Sequence, residues 1–325
     1  MIAPELKDSH GRRLDYLRLS VTDRCNLRCV YCLPAAGSSG VAPKDVLTPG
    51  EIERLSRLAC GLGVSKIRLT GGEPLLRLDI VEIVERLSLM GLEDLSMTTN
   101  GILLAPLAAR LKAAGLRRVN ISIDSLDPTR FREMTRSGDL SAVLAGLEAS
   151  VSAGLNPVKV NVVVARGLND DEIPAFVDLA RKTSVHVRFI ELMPIGETGF
   201  FTSERWLPLA KIQVACGILE PCSPPKGFGP ARYFRPDGAA GSVGFIGALS
   251  SNFCGNCNRM RLTSTGRLLP CLASERGEDL LGPLRAGFAD EDLAALWRCV
   301  AQAKPERHAL ESQAARERFM CSVGG

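Results

Sequence analysis

Aromatic residues make up only 5% of this 325-residue chain, and it holds just three histidines, His10, His186 and His308. None of the three stands at a zinc-finger spacing from a cysteine pair, which excludes a Cys2His2 finger. The sequence has no low-complexity segment, and no apolar run approaches the roughly 20 residues that a membrane helix needs. The opening MIAPELKDSHGRR lacks the apolar stretch of a secretory signal. These absences give the expectation of a cytoplasmic protein that engages no membrane. The formal net charge is only +4, without the concentrated Lys/Arg stripes of a nucleic-acid binder. Any bound anion must therefore be held by particular residues. With 46% hydrophobic residues, the chain is long enough for one large core, or for a core with a smaller appended domain.

Cysteine is plentiful, at eleven residues, and in a cytoplasmic chain that argues for metal ligation over disulfides. DRCNLRCVYCLP places Cys25, Cys29 and Cys32 in a C-x3-C-x2-C spacing. CGNCNRMRLTSTGRLLPC places Cys254, Cys257 and Cys271 in a C-x2-C-x13-C spacing. Neither trio has an obvious fourth thiol. One reading of each is a structural zinc with a distant fourth ligand. The other is a pair of four-iron–four-sulfur clusters, each with three irons on cysteine and one left open for a small molecule. Cys60, Cys216, Cys222, Cys299 and Cys321 read as buried small apolar residues.

Strand-like and helix-like segments alternate from about residue 14 to 193. The strand candidates are 15–22, 65–70, 94–99, 117–124, 158–164 and 186–192, with helices starting at LTPGEIERLSRLA and lying near 79–90, 103–114, 139–153 and 170–182. Thr48, Pro49 and Glu51 give the first helix a capping box with proline in its first turn. Six such units predict an α/β fold, an incomplete (β/α)6 TIM-type barrel with a C-terminal cluster-binding extension. The division falls as residues 1–200 for the barrel and 201–325 for the extension. PCSPPKGFGPARYFRPDGAAG, residues 221–241, is the best linker or long-loop candidate.

The strands alternate where buried parallel strands should be apolar on both faces. Leu17, Leu19 and Val21 oppose Arg18, Ser20 and Thr22; Ile67 and Leu69 oppose Lys66, Arg68 and Thr70. An antiparallel sheet with one wet face would explain this, but helical connections disfavour it. The sharper reading turns the polar face into a barrel lumen. A lumen lined by Arg18, Lys66, Arg68 and Lys159 is unfavourable unless an anion sits there. The glycine-rich TGGEP (70–74) and TTNG (98–101) follow two strands, at the end where parallel α/β folds bind ligands.

The first trio directly after the first strand, followed by GGEP, resembles the radical S-adenosylmethionine superfamily. LRLSVTDRCNLRCVYCLP, KIRLTGGEPLLR, TTNG, VNISIDSLD, VKVNVVV, RFIELMP, CGNCNRMRLTSTGRLLPCL and the terminal GG together resemble one family within it, the GTP 3′,8-cyclases of molybdenum-cofactor biosynthesis. The resemblance implies two 4Fe–4S clusters, the first on Cys25, Cys29 and Cys32 and the second on Cys254, Cys257 and Cys271. It implies S-adenosylmethionine contacts from Tyr31, Gly72, Ser122 and Met193. GTP is then held by Arg18, Arg68, Thr98, Lys159, Arg259, Met260 and Arg261, and a tail ending in Gly324 and Gly325 enters the active site. The implied chemistry is reductive cleavage of S-adenosylmethionine, removal of hydrogen from C3′ of GTP by the 5′-deoxyadenosyl radical, and attack on C8. The implied partners are an electron donor such as flavodoxin, a downstream pyranopterin-forming enzyme and a second copy of the chain in a homodimer, with no nucleic acid. Two features stand apart: 195–250 matches nothing in the family pattern, and Cys321 stands where the family often has serine. The rival readings are another radical S-adenosylmethionine enzyme with an auxiliary cluster, such as a peptide modifier, and a non-catalytic iron–sulfur carrier or zinc-binding interaction protein. A peptide modifier usually carries more C-terminal cysteines. A carrier needs neither GGEP nor luminal cations.

Overall fold

The computed structural model describes residues 5–37, 40–196, 198–227, 229–274, 276–310 and 320–322. Strands form at all six period-two segments: β1 (Tyr16–Ser20), β2 (Lys66–Thr70), β3 (Asp94–Thr99), β4 (Arg118–Ser122), β5 (Lys159–Val164) and β6 (His186–Glu191). The connections carry α1 (Pro49–Gly61), α2 (Ile80–Ser88), α3 (Ala108–Ala113), α4 (Pro128–Thr135), α5 (Leu140–Ser152) and α6 (Ile173–Lys182). The capping box is made: Thr48 Oγ1 accepts from Glu51 N–H at 3.3 Å, and Glu51 carboxylate accepts from Thr48 N–H at 2.8 Å. Such a cap stabilises a helix start by about 1 kcal/mol.

All neighbours from β1 to β6 pair in parallel, so the antiparallel alternative is excluded. The apolar faces turn outward under the helices. Leu17, Ile67, Met97, Ile121, Val160 and Phe189 pack in one buried core with Leu55, Ile83, Leu111, Val143 and Phe176 from the helices. Truncating any one of these to alanine costs about 2–5 kcal/mol. The polar faces turn inward and are buried as well, which makes the lumen real.

The C-terminal part adds α7 (Leu209–Ala215), β7 (Leu219–Pro221), β8 (Arg232–Pro236), β9 (Ser242–Ile246), β10 (Arg259–Leu262), β11 (Arg267–Leu269), β12 (Glu278–Asp279), α8 (Leu281–Arg285) and α9 (Asp290–Gln302). Two of its strands extend the parallel set, β9 beside β6 and β10 beside β1. The six expected parallel strands are thus eight, within a sheet of twelve strands among the described residues. The order β12-β11-β10-β1-β2-β3-β4-β5-β6-β9-β8-β7 leaves the barrel open, with antiparallel pairs at both edges. Among its described residues the linker candidate 221–241 is largely irregular, as expected, with Pro221 ending β7 and only β8 formed within it before β9 begins. Pro221 lies on the outermost strand β7, where a missing N–H costs little. Glu191 ties the unmatched segment down. Its fully buried carboxylate accepts from the N–H groups of Leu209, Leu249 and Ser250 at 2.9–3.0 Å, and from the Ser250 hydroxyl.

Candidate active site

Register places the lumen's charges. Arg261 on β10 stands opposite Arg18 on β1, and Arg18 stands opposite Arg68 on β2. Three arginines thus share one row across three strands, all buried at 5–9% exposure. Burial and the neighbouring guanidiniums push Arg18 well below the ordinary arginine range. Burial brings Arg68 and Arg261 down to about 10. The row continues through Ser96 to Arg118, whose guanidinium is taken by Asp94. Lys66 is not part of the anion-facing set: its ammonium lies 2.7 Å from Asp15, at the strand's start. Arg188 joins the lumen from β6 and donates to Asn120 at 2.8 Å; Asn120 in turn donates to Thr98 Oγ1 at 3.3 Å.

At the carboxyl ends of the strands, the first trio's loop locks onto the GGEP turn. The amides of Gly72 and Glu73 donate to the carbonyls of Thr22 and Arg24 at 2.8 and 2.7 Å. A Cβ on Gly71 would stand 2.3 Å from the Thr22 carbonyl oxygen, and one on Gly72 only 2.2 Å from that of Arg24. These glycines are therefore required by the cysteine loop itself, before any ligand is considered. Glu73 ties this turn to TTNG, accepting from Leu75 N–H, Thr99 hydroxyl and Asn100 N–H at 2.7–3.0 Å. Burial raises its carboxyl to about 7. Asn100 also points its amide at Cys25 Sγ, 3.9 Å away, and Leu27 N–H donates to the same sulfur at 3.4 Å. Tyr31 donates to Asp124 at 2.6 Å, and Asp124 also accepts from Val163 N–H at 2.8 Å. Burial brings Asp124 up to about 6.

The second trio sits in a cationic setting. Lys304, 3% exposed, donates to the carbonyls of Arg259 and Pro270 at 2.8 and 2.6 Å, the first two residues after Cys257 and the second next to Cys271. Arg12 donates to the Cys254 carbonyl at 2.7 Å. The Arg259 guanidinium lies 4.8 Å from the centre of the Phe253 ring. Burial pushes the Cys257 thiol up, but Arg259 and Lys304 outweigh it and bring it down to about 6. At the first trio the balance is reversed. Burial, then Cys32 and Asp124, hold Cys29 well above the usual thiol range.

Both trios open onto one cavity of about 310 Å³, and Arg18, Arg68, Arg259 and Arg261 line its wall. Tyr31, Gly72, Thr98, Ser122 and Met193 line it too. Two expected site residues do not. Lys159 is 1% exposed and donates to the Lys226 carbonyl at 3.0 Å, with burial, Arg188 and Arg118 lowering its ammonium to about 6. Met260 is fully buried in the apolar core, because alternate residues of β10 face opposite ways. Gly324 and Gly325 lie outside the described residues. Among the five cysteines read as apolar filling, Cys216 fits that reading, Cys299 is exposed, and Cys321 is buried in the cavity wall.

The chain matches the family model of the radical SAM superfamily over residues 19–180 and that of Molybdenum Cofactor Synthesis C over 185–310, so the stretch 195–250, expected to match nothing in the family pattern, lies inside a family match. A curated relative named GTP 3′,8-cyclase from Moorella thermoacetica is 47% identical, covering 98% of this chain and 100% of the relative. One from Pelotomaculum thermopropionicum, with the same name, is 46% identical with the same coverage. The chain belongs to the GTP 3′,8-cyclase family. Among solved structures, Streptococcus suis SuiB bound to S-adenosylmethionine superposes with a TM-score of 0.60 at 15% identity, over 97% of this chain and 79% of that one. That likeness is one of fold.

Membership in the cyclase family calls for S-adenosylmethionine and iron–sulfur clusters, and the donor sets fit them. Among the described residues, no three His, Cys, Asp or Glu side chains are grouped to hold a single metal ion. Both trios line one cavity, and three thiols with an open side are what a four-iron cluster with one open iron uses. Thiolates are the ligating form, so loading the first trio releases protons that its acidic surroundings retain. Several residues of the site were overlooked in the sequence although a signal existed. Arg188 obeys the same alternation as Arg68, flanked by Val187 and Phe189. Asp124 lies two positions after Ser122, on its face. Nothing local marked Lys304 or His308, which reach the cavity from beyond α9.

Proposed function

We propose that this chain cyclises GTP to 3′,8-cyclo-7,8-dihydro-GTP, the first step of molybdenum-cofactor biosynthesis, using S-adenosylmethionine and two 4Fe–4S clusters. One observation carries the reading: both cysteine trios line a single cavity whose wall between them carries a row of arginines. When bound, the clusters supply the electron for cleaving S-adenosylmethionine and an open iron for the substrate, and the protein supplies position and electrostatics.

Cys25, Cys29 and Cys32 hold the first cluster, with Tyr31, Gly72, Ser122 and Met193 around the cosubstrate. Tyr31 is fixed for that place by Asp124. Cys254, Cys257 and Cys271 hold the second cluster beside GTP. Arg18, Arg68, Arg259 and Arg261 take the triphosphate, since guanidinium forks match phosphate oxygens and an anion relieves the crowding of the row. Thr98 is oriented by Asn120 and Arg188. An anion brought near Lys159 restores its charge and draws its ammonium from the Lys226 carbonyl. Met260 contributes through its backbone, because its side chain faces the core. Gly324 and Gly325, outside the described residues, are assigned a role beside the nucleotide, supported by Met320 and Cys321 lining the cavity. The buried walls exclude water from the radical.

Residues 1–200 carry the S-adenosylmethionine end and 201–325 the second-cluster end. The setting is the cytoplasm, consistent with no helix among the described residues being long and apolar enough to cross a membrane. A flavodoxin-like donor supplies electrons to a homodimer, and a pyranopterin-forming enzyme takes the product. The test is product mass spectrometry with anaerobically reconstituted protein, dithionite, S-adenosylmethionine and GTP. The cyclic nucleotide is expected. Cleavage of S-adenosylmethionine with no change to GTP would overturn the assignment.

A further inference from the structure

His308 lies in the stretch AKPERHAL, beyond α9. It lines the cavity, and its backbone N–H donates to the Cys254 thiol. Its ring Nε2 stands 2.8 Å from the carbonyl oxygen of Ala248. A carbonyl only accepts, so Nε2 carries the proton, and in the neutral ring Nδ1 keeps a lone pair. That Nδ1 is buried, with no hydrogen-bond partner among the described residues. Native proteins seldom keep a buried polar atom unsatisfied without a use for it.

The segment is held rigidly. Lys304 is anchored on the carbonyls of Arg259 and Pro270, while Arg12 grips the carbonyls of Pro305 and Glu306 at 2.7 and 3.0 Å. The acceptor is thus preorganised rather than mobile. The other polar side chains at this end are Arg259, Arg261 and Lys304, which only donate, and Tyr16, opposite Arg259 on β1, whose buried hydroxyl can donate or accept. If the arginine row takes the phosphates at mid-strand, the base of the nucleotide comes to the loop end, beside the second trio. A guanine edge there presents N–H donors to described side chains that mostly donate, and His308 Nδ1, held beside Cys254, only accepts.

The geometry points to His308 Nδ1 as the hydrogen-bond acceptor for the exocyclic 2-amino group of the bound purine, a specificity-determining contact. The inference rests on the assignment of the cavity to GTP. It is tested by anaerobic equilibrium dialysis of GTP and of inosine triphosphate, which lacks that amino group, against reconstituted wild-type, His308→Leu and His308→Asn proteins. Wild type binds GTP roughly five- to tenfold more tightly than inosine triphosphate. His308→Leu loses that preference, GTP falling to the level of inosine triphosphate, with iron content unchanged. His308→Asn, which places an acceptor oxygen near the Nδ1 position, recovers most of it. The inference is overturned if His308→Leu keeps the preference, if it loses both nucleotides alike, or if it loses half its iron, which would make the residue a support of the cluster. Wild-type protein that binds neither nucleotide overturns the reading of the cavity, and this inference with it.

Discussion

Arg18 should destabilise the free protein and stabilise its complex with GTP. It stands between Arg261 and Arg68 on the two neighbouring strands, and all three are buried. At roughly 5–8 Å and an effective dielectric of about 20, each such pair repels by about 2–3 kcal/mol. Arg18→Met keeps an unbranched stem close to the aliphatic part of arginine and removes the charge. The hydrogen bonds it loses offset part of the gain, leaving a net stabilisation of about 1–3 kcal/mol, in the range seen when buried charges are replaced by apolar residues. For a chain of this size that raises the melting temperature by about 2–6 °C. The same change removes charge-assisted bonds to the triphosphate worth about 1.5–3 kcal/mol each, so GTP affinity falls roughly ten- to hundredfold. Thermal melting of anaerobically reconstituted protein, with and without GTP, reads both effects. The expected pattern is a higher melting point without GTP and a smaller upward shift on adding it. A lower melting point together with an unchanged GTP shift would show that Arg18 serves the fold, and would refute the reasoning.

Reconstituted protein should carry about eight iron atoms per chain, and replacing Cys25, Cys29 and Cys32 together with Ala should leave about half, by colorimetric iron assay; stoichiometric zinc after anaerobic purification would falsify the two-cluster account. Replacing Cys254, Cys257 and Cys271 should leave some uncoupled formation of 5′-deoxyadenosine but no cyclised product, whereas full product from that variant would remove the second cluster from the reaction. Glu73 is raised by burial to about 7 from a reference value of 4.5, so the native state keeps its proton where the unfolded state has lost it. Stability from this group is complete below about 4.5 and falls as pH rises towards 7. Urea midpoints of the cluster-free protein should show that slope flattened in Glu73→Gln, and an equal slope in both proteins would contradict it. Deleting Gly324 and Gly325 should leave iron content intact and lower the ratio of cyclised product to 5′-deoxyadenosine; an unchanged ratio would make the tail a frayed end.

The barrel was legible because period-two alternation survives on every strand from β1 to β6, and its polar half could only be a lumen once helices covered the other half. What escaped was long-range. β9 and β10 are short, and their parallel pairing to β6 and β1 is set by where the chain returns in space, not by local pattern. The prolines of 221–241 marked an irregular run correctly, but β8 inside it escaped, a short strand near the sheet's edge where such residues are tolerated. In the site, the arginine row followed from alternation, and the same alternation should have turned Met260 towards the core. Gly71 and Gly72 were legible as a close approach, but its partner, the backbone of the cysteine loop, was not. Glu73 stands in the GGEP turn and Asp124 on the face of Ser122, but only burial and hydrogen bonding show them bracing the first trio. Lys304 and His308 carry no local signal, since their meaning comes from the carbonyls and thiols folded onto them.

The central claim is that a radical made from S-adenosylmethionine at one end of the cavity acts on C3′ of a nucleotide held by the arginine row. The most direct measurement uses GTP deuterated at C3′ with reconstituted protein, S-adenosylmethionine and dithionite. Mass spectrometry should find one deuterium in the 5′-deoxyadenosine, formed in step with 3′,8-cyclo-7,8-dihydro-GTP. Unlabelled 5′-deoxyadenosine, with the deuterium retained in a cyclised product or in unreacted GTP, would contradict it.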